Sequence, residues 1–240
     1  MIELKYVEKS NAQSRLILYI NELAFRPGEV TAILGANGSG KTTLLKTMMG
    51  LGETKYSHGH ILIDGKPVQE QYEQMAFITE EGSFLPQMTP LQYGAFLADF
   101  FPRFDRDRYR KLLDYFELDP DTRIKTMSTG QKSKLEICAG FSKGAKYMLM
   151  DEPFNGKDMF TRRDFLKLMI ASMKDEEAII VTTHIIDEIE NVIDRAVILH
   201  NGRVKADVMI DELREEGRSL TELMAEKAEY KPNEYKKFID

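Results

Sequence analysis

Gly35-Ala36-Asn37-Gly38-Ser39-Gly40-Lys41-Thr42 constrains this chain more than any other stretch of it. The eight residues fit the pattern G-x-x-x-x-G-K-[ST]. Just before them, Val30 to Leu34 is a short apolar run rich in β-branched residues, consistent with a buried parallel strand. Residues 41–49 carry a helical pattern. Glycines at such a strand-to-helix junction let backbone N–H groups turn inward around an anion. The helix that opens at Lys41 aims its positive end at the same point. Lys41 is expected to reach the β and γ phosphates of a nucleotide, and Thr42 to offer its hydroxyl to Mg²⁺. Asn37, Gly38, Ser39, Gly40 and Thr43 complete the expected cradle.

The rest of the chain alternates in character. Ile2, Leu4 and Tyr6, then Leu16, Leu18 and Ile20, repeat every second residue and predict edge strands with one buried face. Residues 61–66 read as a strand and turn, and 76–79 as a short strand. From about 84 to 146 helical and aromatic patterns dominate, at 91–101, 108–116 and 131–141, punctuated by Pro86, Pro90, Pro102 and Pro120. Phe96, Phe100, Phe101 and Phe104 read mainly as packing within this part. A buried strand returns at 147–150, with Met148 and Met150 as core residues. A helix at 161–173, a strand at 178–182, a helix at 185–193 and a strand at 196–199 follow. This order predicts an α/β fold with a mostly parallel sheet. The expected organisation is a P-loop core from 1–83 and 147–213, which includes an N-terminal antiparallel β subdomain. A helical subdomain is inserted at 84–146, and a short charged helical tail follows at 214–240.

Composition excludes several classes. Hydrophobic residues at 42% and charged residues at 30% supply a sizeable core, too apolar for a disordered chain. Lys plus Arg number 33 against 39 Asp plus Glu, for a net charge of −6, which argues against broad binding to nucleic acid or an anionic membrane. Cys138 is the one cysteine, so an intrachain disulfide is excluded. No apolar run approaches the roughly 18 residues of a membrane span, and the first ten residues hold no apolar signal core. The expectation is a soluble protein of a reducing compartment that reaches any membrane through a partner.

Four further elements fall in order around the phosphate loop. Met127-Ser128-Thr129-Gly130-Gln131 precedes the apolar strand Tyr147-Met148-Leu149-Met150, which ends in Asp151-Glu152. Asn155-Gly156-Lys157-Asp158 comes next, and Thr182-Thr183-His184 closes the following strand. With the phosphate loop, these motifs resemble the ATP-binding cassette (ABC) family over nearly the whole chain, from Ile2 to about Leu213. Within that family the chain looks most like cassettes that serve ABC-2-type exporters, through Phe100-Phe101-Pro102-Arg103-Phe104-Asp105.

The resemblance implies two cassettes facing head to tail around two ATP molecules, with a homodimer favoured, powering a separate integral membrane permease from the inner face of the cell membrane. It implies that Asp151 and Thr42 hold Mg²⁺, that Glu152 polarises the attacking water, and that His184 contacts the γ-phosphate. Ser128, Gly130 and Gln131 would address the ATP bound by the opposite subunit, and Asp158 would bridge the two sites. The Ser128 loop opens a helix, another anion-seeking N-terminus.

Three departures from the family pattern stand out. Glu80 replaces the usual Gln beside the metal, where a carboxylate can still ligate Mg²⁺ and share in catalysis. Thr129 replaces a signature glycine; if Ser128 caps a helix, Thr129 falls in its first turn at negative φ. Ser10, Asn11 and Ala12 stand where an aromatic usually stacks on adenine, and Tyr6 and Tyr19 read rather as strand residues. A soluble ABC ATPase of translation or DNA repair is the alternative, but residues 80–128 leave no room for a coiled-coil arm. A small-molecule kinase would not explain Met127 to Gln131 together with Asp151-Glu152.

Overall fold

The structure is a computed structural model that describes residues 1–10, 15–51, 55–79, 84–155, 159–184 and 186–227. Its strands are β1 (Ile2–Ser10), β2 (Leu16–Phe25), β3 (Val30–Leu34), β4 (Lys55–Ile63), β5 (Lys66–Pro67), β6 (Met75–Ile78), β7 (Tyr147–Asp151), β8 (Ala178–Thr183), β9 (Arg195–His200) and β10 (Arg203–Met209). Its helices are α1 (Lys41–Met48), α2 (Pro90–Phe100), α3 (Arg106–Tyr115), α4 (Thr129–Ser142), α5 (Met159–Ser172), α6 (Ile186–Ile189), α7 (Ile210–Glu215) and α8 (Leu220–Lys227). The strands form one sheet in the order β5-β4-β1-β2-β10-β9-β3-β8-β7-β6. Strands β9, β3, β8, β7 and β6 run parallel. Strands β5, β4, β1 and β2 pair antiparallel. The two parts meet at β10, which is antiparallel to β9 and touches β2 through the single pair Arg203 and Tyr19. The mixed α/β class expected from the sequence is the one observed. Among the described residues no helix is long and apolar enough to cross a membrane.

The central strands explain their own composition. In β3, β7 and β8 every residue except Asp151 is buried, because both faces of the sheet are covered. Alternate side chains serve opposite sides. Ala32, Leu34, Met148, Met150, Ile179 and Val181 share one core with helices α2 to α8, whereas Ile33, Leu149 and Ile180 pack with α1 and the antiparallel strands. Met148 and Met150 are therefore core residues, as their positions predict. Each such side chain contributes roughly 1.5–3 kcal/mol by leaving water. The parallel register sets Leu34 beside Thr183 and Asp151 beside Thr182, so three strands deliver their carboxyl ends to one edge. In open α/β sheets that edge is where ligands bind.

Four expectations need correction. Strands β1 and β2 are interior strands, covered by β4 and β10, not edges. Their alternation also breaks: Tyr6 takes φ 50 at a register shift between Lys5 and Val7 and is exposed, while Val7 fills the core. Gly59 faces this bulge, where an added Cβ would lie 2.0 Å from the Lys5 carbonyl. Leu16 is likewise exposed at the end of β2. The helix expected at 185–193 is the four-residue α6, since Asn191 and Asp194 favour turns over helix interiors. Asp194 instead accepts the Val30 N–H at 2.8 Å and pins the start of β3. Strand β10 was not expected, although Asn201-Gly202 is a hairpin signal. Both residues take positive φ, 49 and 71, and His200 pairs directly with Arg203 across them.

Capping fixes the helices of the 84–146 part. Thr89 and Gln92 exchange bonds at the start of α2, with Pro90 in the first turn, and Asp105 accepts the Arg108 N–H at the start of α3. Phe96, Phe101 and Phe104 pack against the core, but Phe100 stands exposed. Tyr109 is buried between α2 and α4, and its hydroxyl donates to the Pro90 carbonyl at 2.8 Å. At the other end of the chain, α8 docks through buried Leu220 and Leu223.

Gly94 faces the Tyr109 ring so closely that an added Cβ would lie 2.3 Å from Cε1. The ring is held by its hydroxyl bond and cannot retreat. Gly94→Ala should therefore lower stability by about 1–3 kcal/mol, read as a lower urea midpoint. An unchanged midpoint would show that α2 and α3 separate at little cost.

Candidate active site

The loop from Gly35 to Gly40 is shaped by backbone geometry that glycine permits. Gly38 and Gly40 take φ 79 and 107. Gly35 admits no side chain, since a Cβ there would lie 2.4 Å from the Leu199 carbonyl and from Ser39 Oγ. The β9–β10 turn clamps the loop: the Gly202 N–H donates to the Ser39 carbonyl at 2.9 Å, and the Gly202 carbonyl accepts the Tyr19 N–H at 2.7 Å. Gly40 precedes α1 without a side-chain cap, and no acidic residue lies in the first turn. The first N–H groups of α1 are thus left for an anion and reinforced by the helix dipole. Asn37, Gly38, Gly40, Lys41, Thr42 and Thr43 line a cavity of about 330 Å³, which Ile17, Glu152 and Asn155 close. Ser39 does not line it; its hydroxyl is buried with no hydrogen-bond partner among the described residues.

Lys41 folds back over this loop. Its ammonium donates to the Gly35 carbonyl at 2.9 Å and lies 3.1 Å from Glu152 Oε1. The other Glu152 oxygen is 3.0 Å from His184 Nδ1. Asp151 is the next carboxylate along: its Oδ1 accepts the Thr42 hydroxyl at 3.0 Å and the Thr182 hydroxyl at 2.8 Å. Five sequence-predicted residues, Lys41, Thr42, Asp151, Glu152 and His184, are therefore brought into one hydrogen-bonded cluster at the edge of the sheet. Glu152 sits at φ 47, a left-handed conformation that costs a non-glycine residue roughly 1–3 kcal/mol and gathers at functional sites. Its N–H donates to Thr182 Oγ1 at 2.9 Å and its carbonyl accepts the Asn155 N–H at 3.1 Å.

Thr42 and Asp151 present oxygen donors side by side, the chemistry that suits Mg²⁺. No group of three or more His, Cys, Asp or Glu that could hold a metal occurs among the described residues. One hydroxyl and one carboxylate are a donor set that fits an ion bringing waters and substrate phosphates as its remaining ligands.

Ser128, Gly130 and Gln131 lie apart from this cluster, at the start of α4. Ser128 Oγ accepts the Gln131 N–H and Gln131 Oε1 accepts the Ser128 N–H, a reciprocal cap. Thr129 is the first helical residue and has negative φ, so threonine fits there without strain, as the capping argument expects. Glu80 and Asp158 lie outside the described residues, as do Asn11 and Ala12. Tyr6 is exposed on its bulge, and Tyr19 lies under the Arg203 guanidinium at 4.6 Å. Thr182, Ile17 and Asn155 were not assigned roles from the sequence. Thr182 left a trace there as a polar residue ending an otherwise apolar strand, and Asn155 as the first residue of the Asn155-Gly156-Lys157-Asp158 element.

Comparisons with known proteins agree with this geometry. Residues 20–155 match the family described as ABC transporter. The chain is 28% identical over 220 residues to the ABC transporter ATP-binding protein YtrB of Bacillus subtilis (strain 168), covering 90% of this chain and 74% of that protein. It is 32% identical over 197 residues to the aliphatic sulfonates import ATP-binding protein SsuB 1 of Xanthomonas axonopodis pv. citri (strain 306), covering 78% of this chain and 76% of that one. A solved ATP-binding subunit of an ABC transporter superposes with TM-score 0.83 at 29% identity, covering 95% of this chain and 99% of the other. SsuB 1 is named for import, so these relatives do not support the export direction expected from the sequence.

Thr129→Gly should leave ATPase activity within about threefold, since the helix already accepts the threonine backbone and Gly costs a helix only about 1 kcal/mol. A large gain in turnover would show that Thr129 restrains the site.

Proposed function

The chain belongs to the ABC transporter family, and on that footing we propose which residues perform its ATP hydrolysis and how it is coupled to transport. It is an ATP-binding, ATP-hydrolysing transporter subunit. Lys41 holds the β and γ phosphates, and the backbone N–H groups of Asn37, Gly38, Gly40, Lys41, Thr42 and Thr43 receive the remaining oxygens. Thr42 and Asp151 hold Mg²⁺, which supplies charge neutralisation to the phosphates. Glu152 orients and deprotonates the attacking water, and His184 steadies Glu152 while facing the γ-phosphate. Phosphoryl transfer depends mainly on positioning and charge, and this cluster supplies both. The observation that carries the assignment is the chain of contacts from Lys41 through Glu152 to His184, at 3.1 and 3.0 Å.

A second copy completes the site. Gly130 needs no glycine for its own fold, because an added Cβ would meet nothing nearer than Ser128 Oγ at 4.0 Å. The solvent-exposed first turn of α4 suits the close approach of a γ-phosphate held by the other chain, so we assign Ser128, Gly130 and Gln131 to a head-to-tail homodimer, with the signature in the 84–146 part. Glu80 and Asp158 keep the metal-site and bridging roles that the resemblance implies. The permease is assigned to a groove of about 450 Å³ lined by Tyr72, Phe77, Phe100, Phe101 and Lys143. The exposed Phe100 ring at its rim supports that use. The cassette would then work at the cytoplasmic face of the membrane. An ABC-2-type permease and export rest on sequence resemblance alone, and relatives named for import weigh against export. Substrate movement in proteoliposomes with the co-purified permease tests the direction. The net charge of −6 supports a protein partner over nucleic acid.

Lys41→Ala should weaken ATP binding by about tenfold or more, equal to roughly 1.4 kcal/mol or more. Unchanged affinity in a binding titration would contradict the phosphate-loop assignment. Glu152→Gln should still bind ATP but hydrolyse it about 100-fold more slowly or worse, and an ATP-bound dimer should accumulate on size-exclusion chromatography. Wild-type turnover in this variant would move the water-activating role elsewhere.

A further inference from the structure

We propose that Thr182 is a positioning residue for both carboxylates of the site, setting Asp151 and Glu152 with a single hydroxyl. The inference rests on the reading that these two carboxylates act on Mg-ATP. Thr182 is fully buried on β8, the strand that lies between β3 and β7. It shares a sheet face with Ala178 and Ile180, the side packed with α1. An apolar residue would serve packing there equally well, since Val is nearly the same shape and favours strands. What threonine adds is one O–H donor and two lone pairs.

Both capacities are used. The hydroxyl donates to Asp151 Oδ1 at 2.8 Å, while its alternative acceptor, the Met150 carbonyl, is farther away at 3.4 Å. The same oxygen accepts the Glu152 N–H at 2.9 Å. The first bond holds Asp151 in the orientation that meets the Thr42 hydroxyl at 3.0 Å. The second fixes the backbone of Glu152 at φ 47, the conformation from which its carboxylate reaches both Lys41 and His184. Without the hydroxyl, the Glu152 N–H loses its acceptor and the strained residue loses the contact opposing its relaxation. Asp151 loses one of its two observed donors. One side chain thereby ties the geometry at the metal to the geometry at the attacking water. Thr182 is buried and does not line the phosphate-loop cavity, so its effect passes through its neighbours.

The test compares wild type, Thr182→Val and Thr182→Ser, with thermal melts to confirm folding. ADP titrations with and without Mg²⁺ are read beside kcat and KM for ATP. In Thr182→Val, kcat should fall by about tenfold or more. Metal-free ADP binding, which rests on the phosphate loop, should stay within about twofold, while the gain in affinity on adding Mg²⁺ should shrink. Thr182→Ser keeps the hydroxyl and should restore both quantities. If Thr182→Val does not fold, Thr182→Ala carries the same expectations. The proposal is overturned if the hydroxyl-free variant keeps wild-type kcat and Mg²⁺ response, or if serine is as impaired as valine, which would make the methyl group the essential part. An active wild type with an unaffected valine variant removes only the role of Thr182. A wild type showing neither Mg²⁺-dependent ADP binding nor ATP turnover overturns both this inference and the site on which it rests.

Discussion

The Lys41 ammonium and the Glu152 carboxylate, 3.1 Å apart and both largely shielded from water, are the contact on which the site depends. Each follows the end of a different parallel strand, Lys41 as the first residue of α1 and Glu152 directly after β7. Removing one partner of such a shielded pair typically costs about 3–5 kcal/mol, because the other charge is left without compensation. Much of the surrounding structure can be understood as holding these two groups in place. On the lysine side, the left-handed Gly40 and the Gly202 clamp set the loop that α1 follows. On the glutamate side, the strained φ of 47, the Thr182 hydroxyl and the Asn155 turn set the carboxylate.

The phosphate loop and the aromatic groove sit at different places on one sheet: the loop follows the interior strand β3, whereas Met75 and Phe77 of the edge strand β6 line the groove. The α1 side of the sheet carries the phosphate loop, and its other side carries the helices that present the Ser128 cap. The aromatic groove at Phe100 and Phe101 also touches Glu136 and Lys143 on or beside α4. Under the proposed docking, α4 would meet the permease near one end and the second cassette at its N-terminus, and so would relate permease movement to the approach of two cassettes. Burial lowers the pKa of Lys143 below the ordinary lysine value, and nearby Glu136 opposes that shift. The groove thus combines apolar walls with a basic group in a partly dehydrated setting.

That the clustered side chains meet at one edge of the sheet was legible in the sequence because they are tied to strand ends by short fixed spacings. Lys41 follows β3, Asp151 and Glu152 end or follow β7, and His184 follows β8, so the phosphate-loop pattern, the apolar strands and the family resemblance together located them. The central strands were legible from their apolar runs. What the sequence hid were relations across the sheet. Nothing local to Ile2, Leu4 and Tyr6 announces that β4 and β2 flank them, or that a bulge opposite Gly59 turns Tyr6 outward. Strand β10 reads as polar because its side chains alternate between half-buried and exposed; only its Asn-Gly turn betrays it. Thr182 gains its importance from register with Asp151, which no spacing along the chain encodes.

Inter-chain cross-linking tests most directly that one site is shared between two copies. Cys138 is fully buried, so cysteines introduced at the surface would meet little native background. Chains carrying Asn37→Cys would be mixed with chains carrying Ser128→Cys and exposed to a mild oxidant with and without ATP. Head-to-tail pairing predicts a covalent dimer that requires both variants together and increases with ATP. Failure of the mixture to cross-link with ATP present, while both chains bind the nucleotide, would contradict the shared site.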